Sequence, residues 1–357
     1  MPSAARILHV LRTMPWLSQP VRLSLGTSPV IGFAFLALAL LPVAPPGDAR
    51  SEPPVSLSVR LHEVSVARFT PLAEAAGIIG HDDQFVQSMS PLDRRLRLSA
   101  NGSVETVEYL SFTRQQALAW TQADVDLLRP ALESLANRLK RLPSLYPPVV
   151  ELIKTTGREE QNAPHCRGNA IVLPEKAVRN EGDSLERLLA HELFHIVSRQ
   201  SPARRARLYA ILGFTACEPI SLPAGLASRK ITNPDAPSID CVLQIQEDGS
   251  SRLVTPILLA RETDYPSLEG KSVFTEMQFR LLAVHRDGER IVVPESSEPT
   301  LLDPADCPDF LRQIGRNTGY IIHPEETLAD NFVHLLFETP NLPDPWVIER
   351  LQEQLSR

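Results

Sequence analysis

The segment at residues 191–195, with the sequence H-E-L-F-H, constrains the fold of this chain more than any other, because it lies inside a run with helical spacing. Asp183 fits the N-cap of that helix, and Glu186 three residues later completes a capping-box pattern. The apolar positions of the run fall on one face at helical spacing and are predicted to be buried: Leu185, Leu189, Leu193 and Ile196. The sequence therefore predicts a capped, half-buried helix with polar side chains in its middle.

Residues 191–195 match the pattern H-E-x-x-H, which suits zinc for a geometric reason. Residues four apart lie on one helix face, one turn apart, so His191 and His195 can occupy two corners of a zinc tetrahedron. Glu192 then lies beside the open coordination position, where it can take a proton from a metal-activated water and pass it to a leaving group. An ordinary helix with two histidines and an accidental motif is the alternative.

A zinc site needs a third protein ligand, and residues 320–333 offer the best candidate. This segment is typical of a strand end, a proline turn and a helix, with Pro324 in the first turn and acidic residues at the helix N-terminus. Glu326 and Asp330 are four residues apart and share a face. Glu326 can therefore bind the metal while Asp330 accepts the second ring N–H of a ligating histidine.

Three other carboxylates are rival third ligands. Glu325 is adjacent to Glu326, although the register of the following helix favours Glu326. Glu218 lies nearer to the motif along the chain, but Pro219 follows it directly and disfavours helix at that position. Asp235 belongs to an Asn-Pro-Asp sequence that is typical of a turn.

The pairing of H-E-x-x-H with a downstream E-x-x-x-D helix resembles the gluzincin metallopeptidases. The resemblance covers two short stretches and implies a zincin-like α+β domain, in which the motif helix and the ligand helix flank the metal. Carried over by position, it implies three zinc ligands, one general base and one orienting carboxylate, which are in that order His191, His195 and Glu326, then Glu192, then Asp330.

The sequence departs from the better-known members of that group. The interval between His195 and Glu326 is much longer than in thermolysin-like enzymes. The G-x-M-E-N sequence of gluzincin aminopeptidases is absent upstream, and the metzincin extension H-x-x-G-x-x-H does not follow the motif. The subfamily and the substrate are therefore left open.

The resemblance implies two further features of the site. Zincin folds keep an edge strand shortly before the motif helix, where it pairs with an extended peptide substrate; the predicted strand at 169–173 is the candidate, and an ordinary internal strand is the alternative. A Tyr or His across the cleft often helps to stabilise the oxyanion. His323 is the candidate for this role and Tyr320 the second, with helix capping or packing as the alternative for both.

Residues 1–49 are predicted to lie outside the fold. Three arginines are the only charges before an apolar run at residues 30–43, and small residues follow up to Ala49. This order is typical of a secretory signal. The sequence therefore predicts a protein that is exported to the periplasm or secreted, with one domain at residues 50–357. Retention of residues 30–43 as an N-terminal membrane anchor is the alternative.

Charge and cysteine content limit which partners the protein can bind and which disulfides it can form. The net charge is −7, without a basic patch or interleaved aromatic residues, so nucleic acid is not an expected partner. An even number of cysteines in an exported protein allows two disulfides. A bridge between Cys217 and Cys241 is favoured, and the four cysteines are Cys166, Cys217, Cys241 and Cys307.

The remaining patterns predict the rest of the architecture. The leucine-rich stretch 122–142 predicts a long core helix. Asn101-Gly102, between the apolar stretches 96–98 and 104–112, predicts a β-hairpin turn. Residues 241–294 alternate as strands do, and they predict a β-rich insertion between the two halves of the proposed metal site.

Two functions from different classes follow from these patterns. The first is an exported zinc-dependent peptidase that hydrolyses peptide bonds of a peptide or protein substrate, with Glu192 as general base. The alternative is a catalytically silent zincin-like envelope domain that binds a partner or keeps zinc structurally. The intact Glu192 favours the first, because a purely structural zinc site has no need of it. The sequence does not determine the oligomeric state.

Overall fold

The structure of this protein is a computed structural model that describes residues 58–142, 146–179, 183–247, 249–263, 270–295 and 298–356. Of its residues, 41% are helical and 23% lie in strands of two sheets, which confirms the α+β class. The predicted signal or anchor at residues 1–49 lies outside the described residues. Within the described ranges, no helix has the length and apolar character needed to cross a bilayer.

The first sheet has six strands: β1 (Ser58–His62), β2 (Ser65–Phe69), β3 (Ala117–Leu118), β4 (Val149–Thr155), β5 (His165–Arg167) and β6 (Ala170–Pro174). Their order is β1-β2-β4-β6-β5, and β3 pairs with the end of β4. Strands β2, β4 and β6 run parallel, whereas β1 and β5 are antiparallel to their neighbours. Strand β5 is therefore an edge of this sheet.

The helices in chain order are α1 (Leu72–Ile79), α2 (Gln84–Gln87), α3 (Pro91–Leu98), α4 (Thr106–Arg114), α5 (Gln122–Leu139), α6 (Glu175–Val178), α7 (Asp183–Ser198), α8 (Pro202–Ala210), α9 (Ala224–Ala227), α10 (Val273–Glu276), α11 (Pro308–Ile314), α12 (Pro324–Leu336) and α13 (Pro345–Leu355). Helices α5 and α7 lie together on one face of the first sheet, and α1 packs its Ala75 and Ile79 against the other. The predicted leucine-rich core helix is confirmed, because α5 buries Leu128, Leu132 and Leu135.

The second sheet has six strands: β7 (Thr215–Ala216), β8 (Cys241–Glu247), β9 (Ser250–Ala260), β10 (Met277–Asp287), β11 (Arg290–Val292) and β12 (Leu301–Leu302). They are antiparallel in the order β11-β10-β9-β8-β7, with β12 beside β10. The sheet contains the strands predicted within residues 241–294. Its Leu243 and Leu281 belong to the same buried core as Leu189 of α7, so the β-rich stretch packs directly on the helices.

Helices α7 and α12 lie against each other, and this contact places the proposed ligands. Phe194 of α7 and Phe332 of α12 are fully buried, with ring centroids 5.5 Å apart. Helix α7 spans the run predicted from the motif. The side chain of the expected N-cap residue Asp183 lies outside the described part of the chain, and Oε1 of Glu186 accepts hydrogen bonds from Ser134 (3.0 Å) and Arg138 (2.7 Å).

The predicted hairpin at Asn101-Gly102 is wrong. The flanking stretches are the helices α3 and α4, and the Asn-Gly pair lies in the connection between them. Ser90 and Pro91 instead mark the start of a helix. The Ser90 hydroxyl caps α3 by accepting the backbone N–H of Asp93 at 3.0 Å.

The prediction that residues 169–173 form the substrate-pairing edge strand is also wrong. The corresponding strand β6 is internal, with β4 on one side and β5 on the other. This is the internal-strand alternative. The edge position beside β6 belongs to β5, whose three residues are too few to stand out as a strand in the sequence.

All four cysteines are free thiols, and no pair lies at disulfide distance. The favoured bridge between Cys217 and Cys241 is therefore not formed, for a reason of strand register. Ala216 pairs with Cys241 across β7 and β8, so Cys217 is one residue out of step. Successive residues of a strand point to opposite faces. Cys241 accordingly lies in the main core, whereas Cys217 packs on the separate cluster around Ile220.

Candidate metal centre

His191 and His195 on α7 and Glu326 in the first turn of α12 come together as predicted, and we call them the histidine group. Oε2 of Glu326 lies 3.2 Å from Nε2 of His191 and 3.5 Å from Nε2 of His195. Two ligand atoms on one tetrahedral zinc, each bonded at about 2.0–2.1 Å, must lie about 3.3–3.4 Å apart. Both distances from Glu326 therefore fit a zinc ion, and all three ligand atoms lie within 4.8 Å of one another.

The hydrogen bonding of the histidine group also fits a metal. Nε2 of His195 is buried and has no hydrogen-bond partner among the described residues. A buried ring nitrogen without a partner is costly unless something else binds it. On the carboxylate, Asn233 donates its amide to Oε1 of Glu326 at 2.6 Å, which fixes that oxygen and leaves Oε2 facing the two rings. The donor set of two imidazoles and one carboxylate is a usual zinc set.

Each histidine is supported from behind by its own carboxylate. Nδ1 of His191 lies 3.0 Å from Oδ1 of Asp330, as predicted from the sequence. Nδ1 of His195 lies 3.1 Å from Oε1 of Glu325, which had been considered only as a rival ligand. These bonds select the tautomer in which Nδ1 carries the proton and Nε2 is free to bind a metal.

Glu325 is itself held by several donors. It is fully buried, and its carboxylate accepts hydrogen bonds from the hydroxyls of Tyr209, at 2.7 Å, and Ser198. The hydrogen bond and charge of His195, then the charge of Arg199 and the Ser198 hydroxyl, outweigh burial and lower the pKa of Glu325. The signal that could have revealed this role is the Glu-Glu pair itself, because adjacent residues in a first helical turn can reach two different turns of a facing helix.

The carboxylates around the histidine group favour positive charge there. Burial works against protonation of His191, but its bonds to Asp330 and Glu326 raise its pKa well above the usual value. Burial likewise works against His195, yet the nearby carboxylates, Asp235 foremost, raise its pKa to about 9. The opposite shift occurs at Glu326, where the two histidines outweigh burial and lower the pKa to about 2. A divalent cation would meet the same field.

A second buried group, Cys166 with Glu192 and Asp235, lies beside the first, and we call it the cysteine group. Sγ of Cys166 lies 3.4 Å from Oε2 of Glu192 and 3.2 Å from its carbonyl oxygen. The backbone N–H of Cys166 donates to Oδ1 of Asp235 at 2.9 Å. The sequence indicates Glu192 as a site residue but Asp235 only as a rival metal ligand, and it does not place Cys166 at the site, since these two residues come from a distant loop and from β5.

Proton affinities in the cysteine group differ from those in the histidine group. Burial, and then the charge of Asp235, raise the pKa of Glu192 to about 7, which suits a group that takes up and releases protons near neutrality. Burial and the charges of Glu192 and Asp235 raise the pKa of Cys166 well above its usual value. The thiol therefore stays protonated, which argues against a nucleophilic role.

A loop covers both groups. Its turn has the form expected from the Asn-Pro-Asp sequence, because the backbone N–H of Asp235 donates to Oδ1 of Asn233 at 2.9 Å. The loop is anchored at Thr232, whose N–H and carbonyl bond to Asp93 and Arg97, a buried ion pair of α3. The ligands and Glu192 are accordingly buried.

His323 does not serve the site in the predicted way. Its Nδ1 accepts the backbone N–H of Glu325 at 3.1 Å as the N-cap of α12, and its Nε2 faces Sγ of Cys241 at 3.8 Å. Capping was the alternative role, and it follows from the position directly before Pro324. Tyr320, the second candidate, stacks on the ring of His191 with centroids 6.0 Å apart.

The remaining rival ligand lies away from both groups. Glu218 is exposed and is not part of either group. His165 is buried in β5, where burial lowers its pKa to about 3, so it is a neutral core residue.

Comparisons with known proteins add no relative: no family model matches the chain, and no curated protein or solved structure matches it either.

Proposed function

We propose that this protein is a zinc-dependent peptidase of the gluzincin type, with His191, His195 and Glu326 as ligands. The observation that carries the proposal is the convergence of three ligand atoms at zinc spacing, with a carboxylate behind each imidazole. When bound, zinc supplies Lewis-acid chemistry that acidifies water and polarises a carbonyl oxygen. The zincin-like arrangement of α7 and α12 is part of the same proposal.

Glu192 is the proposed general base. It adjoins the ligand His191 in sequence, and its raised pKa lies near neutrality. In peptide hydrolysis its carboxylate would accept a proton from the attacking water and then deliver that proton to the amine that leaves. The thiol of Cys166, held 3.4 Å from Oε2, orients the carboxylate and remains uncharged throughout.

Tyr320 replaces His323 as the proposed donor to the oxyanion. Its ring lies over His191, and burial with the surrounding carboxylates raises its pKa well above the usual value. The phenol therefore keeps its proton and can donate a hydrogen bond to a developing negative charge. His323 has both ring nitrogens engaged elsewhere.

Substrate access requires movement of the loop around Asn233 and Asp235. Asn233 donates to Glu326, and Asp235 accepts the N–H of Cys166 on the edge strand β5. An extended peptide would accept a hydrogen bond from this same N–H. An incoming peptide carbonyl can replace the Asp235 carboxylate at Cys166. The peptide then lies along β5 with its scissile bond beside Glu192.

The test is hydrolysis of a mixed peptide library by the zinc-loaded chain, followed by mass spectrometry. We expect cleavage that a chelator stops and zinc restores, and that Glu192→Gln lowers by about 10²–10⁴-fold while zinc stays bound. Glu349→Gln, a change at an exposed glutamate, is the control and should leave cleavage unchanged. Cleavage that persists in Glu192→Gln would overturn the assignment.

A second function is supported by one observation, the burial of Glu192 and of all three ligands. In a catalytically silent domain the loop would stay closed and zinc would serve the fold. One zinc per chain with no cleavage of any library peptide would favour this function over peptidase activity.

A further inference from the structure

A cavity of about 730 Å³ adjoins the candidate centre. Its walls include Phe85 of α2, Gly168 after β5 and Pro234 of the covering loop, and they are mostly apolar. Two of its lining residues connect it to the site. Cys166 contacts Glu192, and Arg199 follows His195 by one helical turn. The cavity therefore lies where a substrate residue near the scissile bond would be accommodated.

Most charges in the cavity wall are already neutralised. Arg167 pairs with Asp83 at 2.7 Å and donates to the carbonyl of His81 at 2.9 Å. Glu74 pairs with Arg68 at 2.7 Å. These groups are committed to the fold, so they offer little to a charged ligand.

Arg199 also lines the cavity, but its guanidinium is only partly hydrogen-bonded. Its Nε donates to the carbonyl of His195 at 2.9 Å, but its Nη2 has no hydrogen-bond partner among the described residues. Nη2 is buried and forms one long ion-pair contact, 3.6 Å to Oδ1 of Asp235, an oxygen that already accepts the N–H of Cys166. The bond to the His195 carbonyl satisfies Nε of Arg199 and leaves Nη2 without a hydrogen-bond acceptor in the described part of the chain.

We infer that this cavity is a substrate subsite in which Arg199 binds a carboxylate of the peptide. A guanidinium presents its terminal N–H groups in a planar fork that matches a carboxylate, and the apolar walls suit the rest of the side chain. The inference rests on the proposed function, since it specifies which peptides that same site takes.

The distance from the metal ligands limits where the carboxylate can lie. Four residues of helix span about 6 Å between His195 and Arg199. An extended peptide advances about 3.3 Å per residue. The bound carboxylate therefore belongs to a residue within about two positions of the scissile bond. It comes from an acidic side chain or from the C-terminal carboxylate of a substrate cut near its end.

The test measures binding rather than cleavage, so that it does not depend on turnover. The zinc-loaded full chain carrying Glu192→Gln is immobilised and offered pools of short peptides with Glu or Gln at a fixed position, each with a free or an amidated C-terminus. We expect about tenfold stronger retention of one carboxylate-bearing pool over its neutral partner. The Glu/Gln arm identifies a side chain, and the acid/amide arm identifies a C-terminus.

Arg199→Gln is the sharpest variant, because its amide nitrogen can occupy the position of Nε and keep the bond to the His195 carbonyl. It should retain zinc and reduce the carboxylate preference to less than about threefold. Arg207→Met, which removes an exposed positive charge on α8, should leave the preference unchanged. If Arg199→Gln loses zinc, Arg199→Lys decides, because a lysine keeps the charge but not the fork.

Equal retention of charged and neutral pools, or a preference that survives loss of the guanidinium, would overturn the subsite. Failure of the peptidase proposal looks different. In that case the unmodified zinc-loaded chain cleaves nothing, yet the immobilised chain still selects carboxylates through Arg199.

Discussion

The histidine group and the cysteine group are neighbours of similar size and burial, but their polar atoms are satisfied in different ways. In the histidine group both rings are held through Nδ1, and Nε2 of His195 is left without a partner beside Glu326. In the cysteine group the thiol contacts Glu192, and Asp235 accepts a backbone N–H of the edge strand.

This difference separates two kinds of chemistry. Imidazole nitrogens that converge on a carboxylate suit a divalent cation, whereas a protonated thiol does not. The cysteine group instead holds Glu192 at a pKa of about 7, between a weak donor and a negative charge. We therefore propose metal binding for the histidine group and proton transfer for the cysteine group.

The largest expected difference is in zinc affinity. His195→Ala or Glu326→Ala removes a ligand and should lower the affinity by more than the roughly 10–100-fold that loss of a supporting carboxylate usually costs. Cys166→Ser should change it by less than about threefold. Competition with a chromophoric chelator measures all three, and a Cys166→Ser chain that no longer binds zinc would reverse the assignment.

A smaller loss is expected from the supporting carboxylates. Glu325→Gln and Asp330→Asn should each weaken zinc binding by about 10–100-fold, because each replaces the charged acceptor of one imidazole with a neutral, weaker amide oxygen. The Glu325 change should cost more, since that side chain is fully buried and the Asp330 side chain is 28% exposed. The same chelator titration ranks them, and equal effects would contradict the ranking by burial.

Removal of zinc should lower the melting temperature, by an amount that grows with the logarithm of the free zinc concentration relative to Kd. At a free zinc concentration of 100 times Kd, binding to the folded chain alone stabilises it by about 2.7 kcal/mol, or about 5 °C for a domain of this size. Calorimetry with and without a chelator should give this shift in the unmodified chain and in Cys166→Ser. Glu326→Ala should show no shift, and a full shift there would place the metal elsewhere.

The smallest expected effect concerns pH. Burial and then the Asp235 charge raise the pKa of Glu192 to about 7, and a base works only when deprotonated. Activity should therefore fall as the pH drops through about 7 or below. Asp235→Asn removes the negative charge, lowers the pKa of Glu192 and should move this acid limb to lower pH by less than about one unit. A limb that moves to higher pH would contradict the role of Asp235.

Relations between residues close in sequence could be predicted from the sequence. The four-residue spacings of His191 to His195 and of Glu326 to Asp330 define helix faces, and the structure brings those faces together. The N-cap role of His323 was also local, and its position before Pro324 was enough to foresee it.

The contacts that could not be predicted join distant segments. Cys166 meets Glu192 through the position of β5 at the sheet edge, and Asp235 reaches Cys166 because α3 anchors the loop at Thr232. Helical and strand periodicity in the sequence does not predict contacts between distant segments. The Asn101-Gly102 signal failed for a related reason, because a turn signal does not reveal whether strands or helices flank it.

Zinc X-ray absorption of the zinc-loaded full chain tests the assignment of metal to the histidine group most directly. We predict a first shell of nitrogen and oxygen alone, at about 2.0–2.1 Å, from His191, His195 and Glu326. A sulfur scatterer at about 2.3 Å would place the metal at Cys166 in the cysteine group and contradict the assignment.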